Sequence, residues 1–135
     1  MTLRSCPKPD PTQPKPRRPV PKSNPARKAK RYEAAYGLKG QWIRGLPCCC
    51  SGRRTGDLIR QGAVRGVMVV VVAAHFPSRG AGGDSQNLVP LADHLHRWAH
   101  DHGERALEKR FGVNFREFAA QYEARWQALQ RRAAR

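Results

Sequence analysis

The chain has no long apolar run. Its longest, Val67 to Ala74, falls far short of the roughly 20 residues that a membrane-spanning helix needs, so no segment is expected to cross a bilayer. The start, Met1 to Arg18, has no apolar h-region of the secretory kind, and a cytoplasmic location is expected. Cysteine is scarce and badly placed for pairing. Cys48, Cys49 and Cys50 are adjacent in sequence and Cys6 sits in a proline-rich segment, so a disulfide scaffold is not expected. Acidic residues are few: 10 Asp and Glu stand against 26 Lys and Arg, a formal net charge of +16. Such an excess draws a protein to polyanions, with nucleic acid the commonest partner and an anionic membrane surface the rival. Charge alone says nothing about chemistry, because a histone-like structural protein carries the same excess.

What is present divides into segments. A chain of 135 residues suits one domain plus a tail. Eight of the 11 prolines lie between Pro7 and Pro25, interleaved with Lys8, Lys15, Arg17, Arg18 and Lys22 and followed by Arg27, Lys28, Lys30 and Arg31. Proline fixes φ and removes backbone donors, so residues 1–31 are read as a disordered basic arm suited to lie along DNA phosphates. The bland alternative is a solubilising tail. From Ala26 to Ile43 the pattern turns helical, with Tyr32, Ala35, Tyr36 and Trp42 as packing residues and Gly37 and Gly40 as breaks.

Residues 52–66 are polar and rich in Arg and Gly and read as a loop. The β-branched run Val67 to Val72 reads as one strand buried on both faces, stopping at Ala73, Ala74 and His75. A glycine-rich loop follows, from Pro77 to Asn87. Leu88 to Leu91 then make a short second strand, with Pro90 pointing to an edge position. Asp93 reads as the cap of a helix running to His100, with Gly103 as its stop. A short helix spans Glu104 to Phe111, and Asn114 caps the last one. There Phe115, Phe118, Ala119, Tyr122, Trp126 and Leu129 form an apolar stripe, read as core packing, and Arg131, Arg132 and Arg135 suit the helix C-terminus.

The chemistry-bearing pattern is strand, His75, glycine loop, Asn87, short strand, and a helix carrying His96 and His100. Histidines at i and i+4 share one helix face and can reach a common cation. A histidine at the end of a packed strand can face the same point. Imidazole titrates near neutrality and so can take a proton from water. Four of the five histidines fall between His94 and His102, so a histidine-rich surface helix is the competing reading. His75, isolated at the end of an apolar strand, is harder to dismiss.

The stretches His75-Phe76-Pro77-Ser78-Arg79-Gly80-Ala81-Gly82-Gly83-Asp84, Asn87-Leu88-Val89-Pro90-Leu91 and His96-Arg97-Trp98-Ala99-His100 resemble the HNH endonucleases of phages and prophages. The likeness is greatest to the recombination-associated branch. Leu46-Pro47-Cys48 and Glu108-Lys109-Arg110-Phe111-Gly112-Val113 also look like that branch, and the resemblance covers about Ala26 to Trp126. It implies an α+β fold: a small ββα-metal core over residues 32–112, with flanking helices, and the C-terminal helix, residues 113–135, packed on it. It further implies a metal-dependent DNA endonuclease in which His75 is the general base, Asn87 fixes the loop, and His96 and His100 hold one divalent ion, Mg²⁺, Mn²⁺ or Zn²⁺. Arg79, with Arg17, Arg18, Lys28, Lys30 and Arg31 of the arm, would contact DNA. A recombination protein is a further partner the resemblance admits; it does not choose an oligomeric state.

The sequence departs from that pattern at several points. The places of a second, structural zinc are held by Cys48, Ser51, Ala92 and Leu95, of which the last two cannot bind metal, so a structural zinc is not expected. Ala74 stands where several relatives carry a metal-binding Asp or His. The metal would then have two protein ligands from the motif and the rest from water or phosphate, with Asp84, Asp93, His94 and His102 as candidate additions. These losses leave open a catalytically inactive, DNA-binding derivative. A basic structural protein with a chance histidine cluster is the third reading, against which the glycine loop argues. The long spacing from Gly52 to His75 is read as an inserted hairpin or loop.

Overall fold

A computed structural model describes residues 24–77 and 84–135, which form five α-helices and two small antiparallel sheets, an α+β fold as expected. Most of the arm, including Arg17 and Arg18, lies outside the described residues, as does Arg79 in the glycine loop. Helix α1 (Pro25–Ala35) starts where the Asn24 side chain accepts the Ala26 N–H at 3.0 Å. Pro25 occupies the first helical position, where its missing donor costs nothing. Lys28, Lys30 and Arg31 therefore sit exposed on a helix and not on an extended arm, and the boundary drawn at residue 31 cuts through α1. Helix α2 (Gly37–Arg44) follows at once and buries Lys39, Gly40 and Ile43.

Residues 52–66 are not all loop: the inserted hairpin admitted by the long spacing from Gly52 to His75 is present. Strands β1 (Leu58–Gln61) and β2 (Val64–Met68) form a hairpin, with Leu58 opposite Met68 and Ile59 opposite Val67. Gly62 opens its two-residue turn at φ +57°, a backbone region that costs a side chain little only at glycine. The valine run is likewise not one strand. Val69 N–H donates to the Asp57 carbonyl at 2.7 Å, whereas the Val70 carbonyl accepts the Asp93 N–H at 2.8 Å. The chain thus changes partner between Val69 and Val70, and strand β3 (Val71–His75) begins beyond that point. Burial on both faces fails at Met68, 60% exposed, and Val70, 42% exposed.

Strand β3 pairs with β4 (Leu88–Ala92) from Val71↔Ala92 to His75↔Leu88. Pro90 faces Ala73 and is tolerated because, in a two-stranded sheet, each strand is an edge. Helix α3 (Asp93–His102) leaves β4 directly. Asp93 is its first helical residue, paired with Arg97 one turn on, and not the cap; Ala92 holds that place with no side-chain bond. Gly103 ends α3, and α4 (Glu104–Phe111) follows. The Asn114 side chain then accepts the Arg116 and Glu117 N–H groups at 3.0 and 3.2 Å to start α5 (Phe115–Ala133).

The β3–β4 sheet lies at the centre of the core. Ala74 joins Leu95 and Ala99 of α3 in one buried cluster, with Phe115 and Ala119 of α5. Ala73, on the opposite face of the strand, joins Leu88 and Ile43 of α2 in another. Most of the α5 stripe packs on these clusters. It leaves the core at Leu129, which is 41% exposed, because the helix outruns the sheet beneath it.

Candidate active site

His75 closes β3 and is 6% exposed. Two contacts define its surroundings. The Phe76 N–H donates to the Asn87 carbonyl at 3.0 Å, which ties the strand end to the far side of the loop. The Tyr36 ring meets the imidazole edge-on, with centroids 4.9 Å apart. From α3, His96 and His100 project one above the other, their ring centroids 4.6 Å apart. The i, i+4 spacing puts both in one row of α3, next to the row of Leu95 and Ala99 that packs in the core, with His96 half-buried and His100 exposed.

His75, His96 and His100 line one cavity of about 180 Å³, walled by Phe76 and Ala99. The three imidazoles singled out in the sequence are brought together. A fourth polar group, Glu104, lies at the same cavity and was not among the candidate residues. It stands four places after His100 but beyond the Gly103 stop, so helical periodicity offered no reason to select it. His96 titrates below the ordinary histidine value of 6.5. Burial is the first cause, and the nearby His100 and His75 rings add to it, against an opposing pull from Asp93. At neutral pH the His96 ring is therefore uncharged, the form that can donate a lone pair to a cation.

No group of three or more His, Cys, Asp and Glu side chains among the described residues is arranged to hold a metal ion. The donor set fits a cation held by two imidazoles and completed by solvent or phosphate, and does not form a closed cage. Ala74 is 1% exposed and packs in the core. Of the other candidate donors, Asp84 accepts the Gln86 N–H at the start of a 3-10 turn (Ser85–Asn87) and Asp93 pairs with Arg97. His102 stacks on Trp98 at 4.2 Å and bonds the Trp98 carbonyl at 3.0 Å. His94 is not among the cavity-lining residues. Asn87 does not line the cavity either. Its side-chain oxygen accepts the Asp84 N–H at 3.4 Å, closing a reciprocal cap across the 3-10 turn.

Lys39 is a second position that sequence reasoning passed over. It is buried in α2, donates to the Ser85 carbonyl at 2.7 Å, and pairs with the Glu123 carboxylate of α5. One ammonium thus braces the 3-10 turn against two helices. A lysine within a basic chain gives no sequence signal of burial.

Of the four places assigned by resemblance to a structural zinc, three meet at the Cys48 sulfur. The Cys48 sulfur accepts the Ser51 N–H at 3.4 Å and the Ala92 N–H at 3.3 Å. Cys48, Ala92 and Leu95 are all buried in one apolar cluster. A hydrogen bond donated by the Cys48 thiol to Cys50, and then burial, push Cys48 up to about 12, so it is protonated at neutral pH. Side-chain packing occupies this corner.

No protein-family model, curated protein or solved structure matches the chain. Among the described residues, no helix is long and apolar enough to cross a membrane.

Proposed function

We propose that the chain is a metal-dependent DNA endonuclease of the HNH type that hydrolyses phosphodiester bonds. The single observation that carries this reading is the shared cavity: a buried strand-end histidine lines it together with two neighbouring histidines of the following helix. Three convergent imidazoles in a chain of net charge +16 suit proton transfer beside a phosphate. The contact between positions 48 and 92 adds support, because the resemblance pairs them across the fold.

In this reading His75 takes a proton from water, and that water attacks phosphorus in line with the leaving 3′ oxygen. Tyr36 and the Phe76–Asn87 backbone bond limit how far the His75 ring can move. His96 and His100 would hold a divalent ion through their ring nitrogens. When bound, that ion supplies charge neutralisation at the phosphate and the departing oxygen. Asn87 holds the loop through its backbone carbonyl and its cap on Asp84. Lys28, Lys30 and Arg31, exposed on α1, and the arginines of the arm attract the DNA backbone.

The second reading is a DNA-binding protein without activity, favoured by Ala74 and by the lack of a three-donor group among the described residues. Plasmid nicking across a series of divalent ions separates the two. The endonuclease reading expects open-circular product with Mg²⁺ or Mn²⁺ and none with EDTA. DNA binding with intact plasmid under every ion tested establishes the inactive reading instead.

A further inference from the structure

The β1–β2 hairpin is the part of the fold that the active-site account leaves unused, and its composition is unusual for a solvated ribbon. Ile59 is half-buried and packs on the core, so its neighbours Leu58 and Arg60 belong to the outward face. On that face Leu58 lies directly opposite Met68, and the two are 65% and 60% exposed. Val64, near the turn, is 60% exposed. Arg53 and Arg54 lie just before β1, Arg60 in β1 and Arg65 in β2, all exposed. The only acid of the segment, Asp57, spends a carboxylate oxygen on the Arg54 backbone N–H at 2.7 Å. Among the described residues the ion pairs are Lys39–Glu123 and Arg97–Asp93, and neither involves a hairpin arginine. The Arg60 Nε donates to the Gly62 carbonyl at 3.0 Å, which steadies the side chain and leaves its terminal nitrogens open.

We infer that this hairpin is a second DNA-contacting element, in which Arg53, Arg54, Arg60 and Arg65 engage backbone phosphates while the Leu58–Met68 pair lies against the groove. The inference rests on the DNA reading above, though not on cleavage. Charge selects the occupant. A second copy of the chain would set four arginines against four arginines, whereas a polyanion neutralises them. Shape agrees, since a two-stranded ribbon enters the B-DNA major groove, about 12 Å wide, and apolar side chains on such ribbons contact sugars, methyl groups and base steps. Placement agrees as well. The strand that leaves the hairpin ends in His75, and its five residues span about 13 Å between first and last Cα, roughly one groove width.

The test is fluorescence anisotropy of the full chain on a labelled 20-base-pair duplex in EDTA, repeated over a salt series. The double variant Arg60→Ala/Arg65→Ala should bind at least tenfold more weakly, with a slope of log affinity against log salt shallower by about 2. Leu58→Ser/Met68→Ser should weaken binding severalfold with the slope unchanged. All four positions are exposed, and circular dichroism with thermal melting checks that both variants keep the fold; Arg53→Ala/Arg54→Ala gives an independent pair. Unchanged affinity and slope in both arginine pairs overturns the inference. So does a wild-type dimer that Leu58→Ser/Met68→Ser converts to monomer with DNA affinity intact, which makes the strip a self-association surface. A wild type that binds through these arginines but never cleaves leaves the hairpin standing and removes the endonuclease.

Discussion

The Tyr36 ring stands edge-on to the His75 imidazole at 4.9 Å, and Gly40 keeps it there. A Cβ built at Gly40 would lie 2.7 Å from the Tyr36 Cβ, closer than two such atoms approach. Gly40→Ala should therefore displace Tyr36 and loosen the His75 ring with no direct contact to it. The expected result is a cleavage rate reduced by about tenfold or more. Tyr36→Phe retains the edge contact and should stay near wild type. A Gly40→Ala variant as active as wild type would show that Tyr36 does not position the base.

Lys39 joins α2, the 3-10 turn and α5 through one ammonium. Removing it strands the Ser85 carbonyl and leaves the Glu123 carboxylate without its partner. Lys39→Met should cost about 1–3 kcal/mol in denaturant unfolding, toward the low end because Glu123 keeps some access to water. Glu123 carries the complementary pH signature. Burial raises its pKa, but hydrogen bonds from Gln127 and Lys39, with the Lys39 charge, outweigh that and leave it below the ordinary 4.5. A depressed carboxylate contributes stability that is present above its unfolded pKa and lost as pH falls through the folded one. Glu123→Gln should flatten the acid limb of stability against pH below about 4.5.

His96 should titrate below 6.5 in metal-free protein, followed by two-dimensional NMR of its ring protons. His100→Ala removes a neighbouring imidazole and should move that midpoint upward. Burial remains the larger cause, so the return to the ordinary value should be incomplete. The sign for stability follows. A histidine whose folded pKa is lowered favours the native state fully above the unfolded value and loses that contribution as pH falls from about 6.5 through the folded midpoint. An unshifted His96 in the wild type would remove the basis for its neutral form.

Cys48 is expected to be inert. With its thiol pushed up to about 12, alkylation by iodoacetamide at pH 8 should be slow in the native protein and fast after unfolding, as read by mass spectrometry. Elemental analysis should find no stoichiometric zinc held by Cys48, Cys49 and Cys50. Zinc at one equivalent that is lost in Cys48→Ser would mean that the corner holds metal after all.

Much of this arrangement is legible in the residues. Gly103, Gly112 and Asn114 mark the ends of the last three helices because caps and stops are local chemistry. The convergence of His75, His96 and His100 follows from a strand end and an i, i+4 pair. Other features depend on tertiary pairing that no local pattern encodes. The run Val67 to Val72 is uniformly apolar, so it cannot show that the chain changes partner at Val69. The hairpin, admitted only as an alternative to a loop, shows no clear alternation because most of its residues are exposed on both faces. Lys39 and Glu104 take their roles from neighbours 84 and 29 positions distant, Glu123 and His75.

The most direct measurement is single-turnover cleavage of supercoiled plasmid in Mn²⁺ by the wild type and by His75→Ala, with and without added imidazole. The account predicts nicking by the wild type, its loss in His75→Ala while DNA binding and melting temperature persist, and partial recovery with imidazole as the missing base. Cleavage by His75→Ala at the wild-type rate would contradict it.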